Sequence, residues 1–194
     1  MPTRLSALAE EVPSVVEHAE FDREVVVDEL EQARLVFRGL LQAANRSDLR
    51  RASAGTRWTN EQLLFHMLFG YIIVLALLRL VRLFSWLPPA VSRGFARILD
   101  AALMPFNAVN YWGSCVGALV FNHDRMGAKL DRVINRLQRR VLVATARELS
   151  RGMHYPTRWD PFFREYMTLG ELFRYPTQHF DFHRHQLTLG PAAR

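Results

Sequence analysis

An all-α fold is predicted for this 194-residue sequence by three observations. Apolar side chains recur at three- and four-residue steps in several long segments, which gathers them on one face of a helix. Two of those segments open on capping boxes, Thr59 with Gln62 and Thr168 with Glu171, in which each side chain satisfies the other's free backbone N–H. Strong stops, Pro88-Pro89 and Gly152, close other segments.

The composition bounds the rest. With 49% apolar residues the chain can fill one real core and would be cramped as two, so residues 1–194 are read as a single domain. A net charge of +6 and a pI near 10.2 suit phosphate, anionic lipid or an acidic ligand and select none of them. The single cysteine, Cys115, excludes an internal disulfide framework and fits a reducing, cytoplasmic setting. It lies between Gly113 and Gly117 in an apolar run, which favours a small buried side chain over a nucleophile. Met1 to Phe21 carries Glu10, Glu11, Glu17 and Glu20 and lacks the basic-then-apolar order of a secretory signal.

Residues 1–14, with Pro2 and Pro13, read as an arm or a short preliminary helix. The first convincing helix begins near Val15 or Asp28 and runs to Ala44, with Leu30, Ala33, Phe37, Leu40, Leu41 and Ala44 inward and Glu29, Glu31, Arg34 and Arg38 in water. Residues 45–56 form a polar connection. The second helix starts at Thr59, and from Leu63 to Leu78 it is apolar on every side except at His66 and Tyr71. Such a helix belongs either in a core or in lipid. Gly70, one turn after His66, costs helix stability, so it marks either a close helix approach or room for a ligand.

Residues 86–122 are an apolar insertion, longer than a connection between packed helices should be. Val91, Phe95, Ile98, Ala102 and Phe106 fit a further helix that bends or ends near Pro105. From Ala101 to Asn122 there is no Asp, Glu, Lys or Arg, yet Pro105, Asn107, Asn110 and the glycines dilute the run, which favours core or dimer surface over a membrane span. The third long helix is expected from His123 to Ser150, with Met126, Leu130, Val133, Leu137, Val141 and Ala144 inward and Arg132, Arg136, Arg139 and Arg140 largely opposite. Residues 153–167 form an aromatic, proline-rich loop that packs. The fourth helix opens at Thr168, and Pro176 predicts a kink or restart a turn before His179.

His179 and His183 stand one helical turn apart on one face and can close on one divalent cation. A third imidazole, His66 from the second helix, would complete the set and leave a position open for water or substrate. The bland alternative is a satisfied core histidine at 66 and a decorative pair on the fourth helix. Other polar residues are weaker candidates. His185 points to the surface, Asp181 lies on another face, and His18, His123 and His154 have no spaced partner. Glu171 is explained by its capping box. Tyr175 either donates to a group in the site or fills core, and Asp160 and Arg158 either form a lid or hold the aromatic loop down. No catalytic base is assigned. Phosphate-cradling glycine loops, a nucleophile elbow and zinc-finger spacing are absent, and the arginine stripe of the third helix lacks interleaved aromatics, so nucleic acid is not expected as a partner.

Trp58-Thr59, His66 and His179-x3-His183-Arg184-x-Gln186 together resemble the DinB-like (YfiT-like) metalloenzymes, over about Asp28 to Leu189 and broken by the central insertion. The chain departs from that pattern at His185, where glycine is usual, which would crowd the site or add a group to its rim. The resemblance implies an antiparallel four-helix bundle with an extra helical insertion between the second and third helices. It also implies a divalent ion (Zn, Ni or Fe) on His66, His179 and His183. The family it resembles includes thiol S-transferases and isomerases that use a low-molecular-weight thiol, and proteins called hydrolases by analogy, so the resemblance implies such a thiol or another small molecule as partner. The rival expectation is a non-catalytic protein bound to a membrane or partner through Leu63–Leu83 and Ala101–Phe121, edged by Arg79, Arg82, Arg93 and Arg97. The surplus apolar surface of the insertion also predicts a homodimer.

Overall fold

The structure, a computed structural model, describes residues 21–190, so the expected arm at 1–14 and a helix start at Val15 lie outside the described residues. The first helix, α1 (Arg23–Ala43), begins five residues before Asp28 because Asp22 caps it, its carboxylate accepting the N–H groups of Glu24 and Val25. A one-turn helix, α2 (Arg46–Arg50), interrupts the expected connection, opened by a capping box of Asn45 and Asp48. The helix α3 (Asn60–Phe84) starts at its predicted cap, Thr59 with Gln62.

The insertion is two helices, α4 (Pro89–Ala101) and α5 (Leu103–Val120), parted at Ala102. Pro105 explains the position of the break. Its ring would clash with the carbonyl four residues back in a continuous helix, whereas in the first turn of a new one its missing N–H is not needed.

The third long helix is shorter than predicted. α6 (His123–Val143) stops where Ala144 turns extended and Thr145 opens a capping box with Glu148 for α7 (Ala146–Leu149). The apolar spacing runs on past that point, but the cap overrides it. The aromatic loop has paired ends, β1 (Gly152–His154) and β2 (Tyr166–Thr168), antiparallel with Gly152 opposite Thr168. A Cβ at Gly152 would stand 2.4 Å from the Met167 carbonyl oxygen, so only glycine allows this approach. α8 (Leu169–Arg184) starts at its predicted Thr168–Glu171 box and continues through the buried Pro176 without the expected restart.

Four helices close the bundle, and cross-links fix their directions. Arg23 reaches the Ala144 carbonyl and Arg38 pairs with Asp131, so α1 and α6 are antiparallel. Asn60 bonds Thr188 while Tyr71 meets Thr177, so α3 and α8 are antiparallel as well. Between them lie fully buried Leu30, Phe37, Leu64, Met67, Leu68, Tyr71, Leu130, Ile134 and Phe180. This is the all-α architecture expected. α3 also has the length and hydropathy of a membrane span, a mean of 2.2 over its most apolar window. Half of that window is buried within the protein, as befits a central core helix.

The insertion packs on α3 through Gly117, where an added Cβ would fall 2.0 Å from the Phe65 ring. Gly117→Ala is therefore expected to lower stability by about 1–3 kcal/mol in urea denaturation through overpacking. Gly113, with open space around it, should instead tolerate alanine and gain up to about 1 kcal/mol of helix propensity. Equal effects at the two positions would contradict this seating of α5.

Candidate metal centre

Two sequence decisions place the imidazoles. The Thr59 cap starts α3 so that His66 falls on its second turn facing α8, and the Thr168 cap does the same for His179 and His183 on α8. Gly70 lets the two helices meet: a Cβ there would stand 2.9 Å from Cδ2 of His179. Of the two readings of Gly70, close approach is the one realised, and the space is taken by an imidazole. Ring centroids lie 5.0 Å apart for His66 and His179, 4.7 Å for His66 and His183, and 4.5 Å for His179 and His183. One ring nitrogen from each lies within 4.8 Å of the others, a spacing at which one ion can be held.

A model of the DinB superfamily matches residues 29–187. The chain belongs to the DinB superfamily. No curated protein and no solved structure matches it.

In this DinB-superfamily protein each imidazole has its Nδ1 engaged by a side-chain oxygen. His66 Nδ1 lies 3.1 Å from Ser114 Oγ, and that hydroxyl donates its proton to the Asn110 carbonyl 2.9 Å away, so it accepts from the imidazole. His179 Nδ1 donates to Asp160 Oδ2 at 2.9 Å, and His183 Nδ1 to Gln186 Oε1 at 2.6 Å. With the proton on Nδ1, every Nε2 keeps a lone pair. His179 Nε2 is buried with no hydrogen-bond partner among the described residues. A buried orphan nitrogen is costly unless something electrophilic sits on it. Three imidazole donors with outer partners on the opposite nitrogens are the donor set and support that a borderline divalent ion takes.

Electrostatics keeps these nitrogens available. Burial, and then the charge of His179 and His183, hold the His66 pKa well below its usual value. Burial and His179 lower His183 to about 4, against smaller opposing effects of Gln186 and Asp160. For Asp160 burial acts upward, but it is outweighed by the hydrogen bond and charge of His179, the Phe162 N–H and the Tyr175 hydroxyl, and the carboxyl lies below its usual value. Burial and Asp160 raise Tyr175 well above the normal phenol range, so it stays a proton donor to Asp160 at 2.9 Å.

The structure thus brings together all three predicted imidazoles, with Asp160 and Tyr175 beside them, and places the remaining candidates elsewhere. Asp160 does more than hold a loop, since it is the outer partner of His179, and Tyr175 spends its hydroxyl on that carboxylate. A signal existed, because a carboxylate between Trp159 and Pro161 in a loop that must pack needs a charged partner when buried. Ser114 carried none, and Gln186 was matched without a role. His185 caps α8 in solvent, and Asp181 is exposed near Arg184. Glu171 serves its cap and pairs with Arg164 at 2.6 Å. Arg158 only gives its backbone N–H to Asp100. His123 bonds the Leu41 carbonyl and His154 the Ser92 hydroxyl, each a tie between elements. Cys115 is half-buried rather than fully enclosed. His18 lies outside the described residues.

A depressed histidine pKa has a definite sign. Between about 4 and the ordinary 6.5 the unfolded chain binds more protons at His183 than the folded one, so stability falls as pH drops through that window, and His66 acts the same way. The melting temperature of metal-free protein should therefore decline from pH 6.5 toward 4, and less steeply in His183→Gln. An equal decline in both would show that His183 is not held neutral by its surroundings.

Proposed function

We propose that this protein is a divalent-metal-dependent enzyme whose ion is held by His66, His179 and His183. The observation that carries the reading is the orphaned Nε2 of His179, buried beside two further imidazoles whose Nδ1 atoms are likewise engaged. Held by His66, His179 and His183, such an ion would supply the activation of a water or a thiol as a nucleophile at neutral pH.

The chain's own residues do the positioning. Asp160 fixes the tautomer and plane of His179, and its negative charge offsets part of the positive charge brought in. Tyr175 and the Phe162 N–H hold that carboxylate in turn, so Asp160 has no free oxygen for a second task. Trp58 stacks on His66 with ring centroids 4.3 Å apart, covering one side of the centre from water. A low-molecular-weight thiol as co-substrate, or hydrolysis by water, are the two reaction types this arrangement suits.

One observation favours a second property alongside the first. The outer face of α5 is apolar and bare, with Met104 80%, Trp112 64% and Leu119 81% exposed. Such a patch suits a second copy of the chain, which would make the protein a homodimer.

Two outcomes are expected. Tag-free protein should carry about one divalent ion per chain by elemental analysis. His66→Ala and His183→Ala should lose it, His185→Ala should keep it, and Asp160→Asn should weaken binding by about 10–100-fold. Equal metal content in wild type and His183→Ala would refute the assignment. Light scattering at micromolar concentration should report a dimer that Leu119→Arg converts to monomer, and a monomeric wild type would remove the dimer.

A further inference from the structure

The three histidines form one end of a cavity of about 490 Å³. Its long wall is a single stripe of α3, in which His66, Phe69, Ile73, Leu77 and Leu80 follow one another at three- and four-residue steps. At 1.5 Å per residue the stripe runs about 21 Å from His66 to Leu80. The opposite wall is built by the insertion, Phe95 and Leu99 from α4 and Phe106 from α5, and by the aromatic loop, with the Phe106 ring stacked on Trp159 at 3.9 Å. The insertion therefore turns one face of the bundle into the floor of an elongated chamber that ends at the candidate metal centre.

The chamber selects by charge as well as by shape. No Lys, Arg or Glu lines it among the described residues, and its one carboxylate, Asp160, is already held by His179, Tyr175 and Phe162. Away from the centre its polar side chains are neutral, Asn110 and Tyr155, and the Tyr155 hydroxyl is buried with no partner among the described residues. A ligand with its own carboxylates would lose their hydration along these walls, where no cationic side chain among the described residues compensates them. An apolar ligand instead gains from every wall it covers.

We propose that the substrate is an elongated, uncharged, hydrophobic molecule, an acyl-type or aromatic chain with a single polar reacting group at the end that reaches His66, His179 and His183. The chamber lies along α3, and its lining includes the exposed Ala76. This deepens the metal-enzyme reading for which end of the ligand reacts, whereas binding in the chamber does not need the ion. It also disfavours a peptide thiol such as glutathione as an occupant of the chamber.

The test is a titration of the full chain with N-phenyl-1-naphthylamine, an uncharged dye that fluoresces in apolar surroundings. The dye should bind saturably at one per chain, 1-dodecanol should displace it, and glutathione should not. Ala76→Trp, with its indole on the chamber lining, should weaken binding by about tenfold or more, and Leu99→Trp serves as the alternative should the first variant melt abnormally. Leu119→Arg, on the outer face of α5, should leave dye binding unchanged and so separates the chamber from that patch. Wild-type protein stripped of metal with a chelator should also keep dye binding, so that failure of the metal centre and failure of the chamber are read independently. Absence of saturable binding, displacement by glutathione as readily as by dodecanol, or wild-type affinity in both tryptophan variants would overturn the proposal.

Discussion

The structure depends on one constraint: three imidazoles are gathered together, two buried and His183 half-buried, and among the described residues each has its Nδ1 held by a side-chain oxygen. Ser114, Asp160 and Gln186 take the three Nδ1 atoms from three different elements, α5, the aromatic loop and the residues just past α8. Each partner is an acceptor, so the lone pairs are left on the three Nε2 atoms. Protonating them would put like charges a few ångströms apart in a poorly solvated place, which is why His66 and His183 are held neutral. Burial of this kind is costly and is sustained by the packing around it.

That packing explains why the insertion and the aromatic loop accompany the bundle. α3 and α8 alone would present the imidazoles to solvent on one side. α5 adds Ser114 and seats itself through Gly117 against Phe65. The loop adds Asp160 and is tied down at both ends by the β1–β2 pair and in its middle by the Trp159 indole donating to the Leu99 carbonyl at 2.7 Å. The walls that enclose the centre are thus the same ones that form the apolar chamber, so shape and charge at the site are set by the segments most foreign to a plain four-helix bundle.

Much of this was legible in the sequence, for physical reasons that differ by residue. The starts of α3 and α8 were readable because a capping box is a local bond between residues three apart. His66, His179 and His183 were readable because helical spacing fixes two of them on one face and the third lies on another apolar helix that must pack inward, a choice that the resemblance then matched. The end of α6 was misplaced because apolar periodicity continues through Ala144, and only the Thr145–Glu148 box overrides it. The β1–β2 pair and Ser114 as an outer partner were not readable, because they join segments distant in sequence that neither spacing nor composition links. Asp160 was readable only as a carboxylate that needs a partner when buried, not as the partner of His179. Pro176 shows the converse, a strong local signal for a break that a packed helix absorbs.

The central claim is that three Nε2 atoms share one point while three Nδ1 atoms are held by protein. Imidazole 15N spectroscopy during titration with zinc tests it most directly. The account predicts that the Nε2 resonances of His66, His179 and His183 move together and saturate at one ion per chain, with their Nδ1 atoms remaining protonated. Movement of only the His179 and His183 signals, or deprotonation at Nδ1, would contradict it.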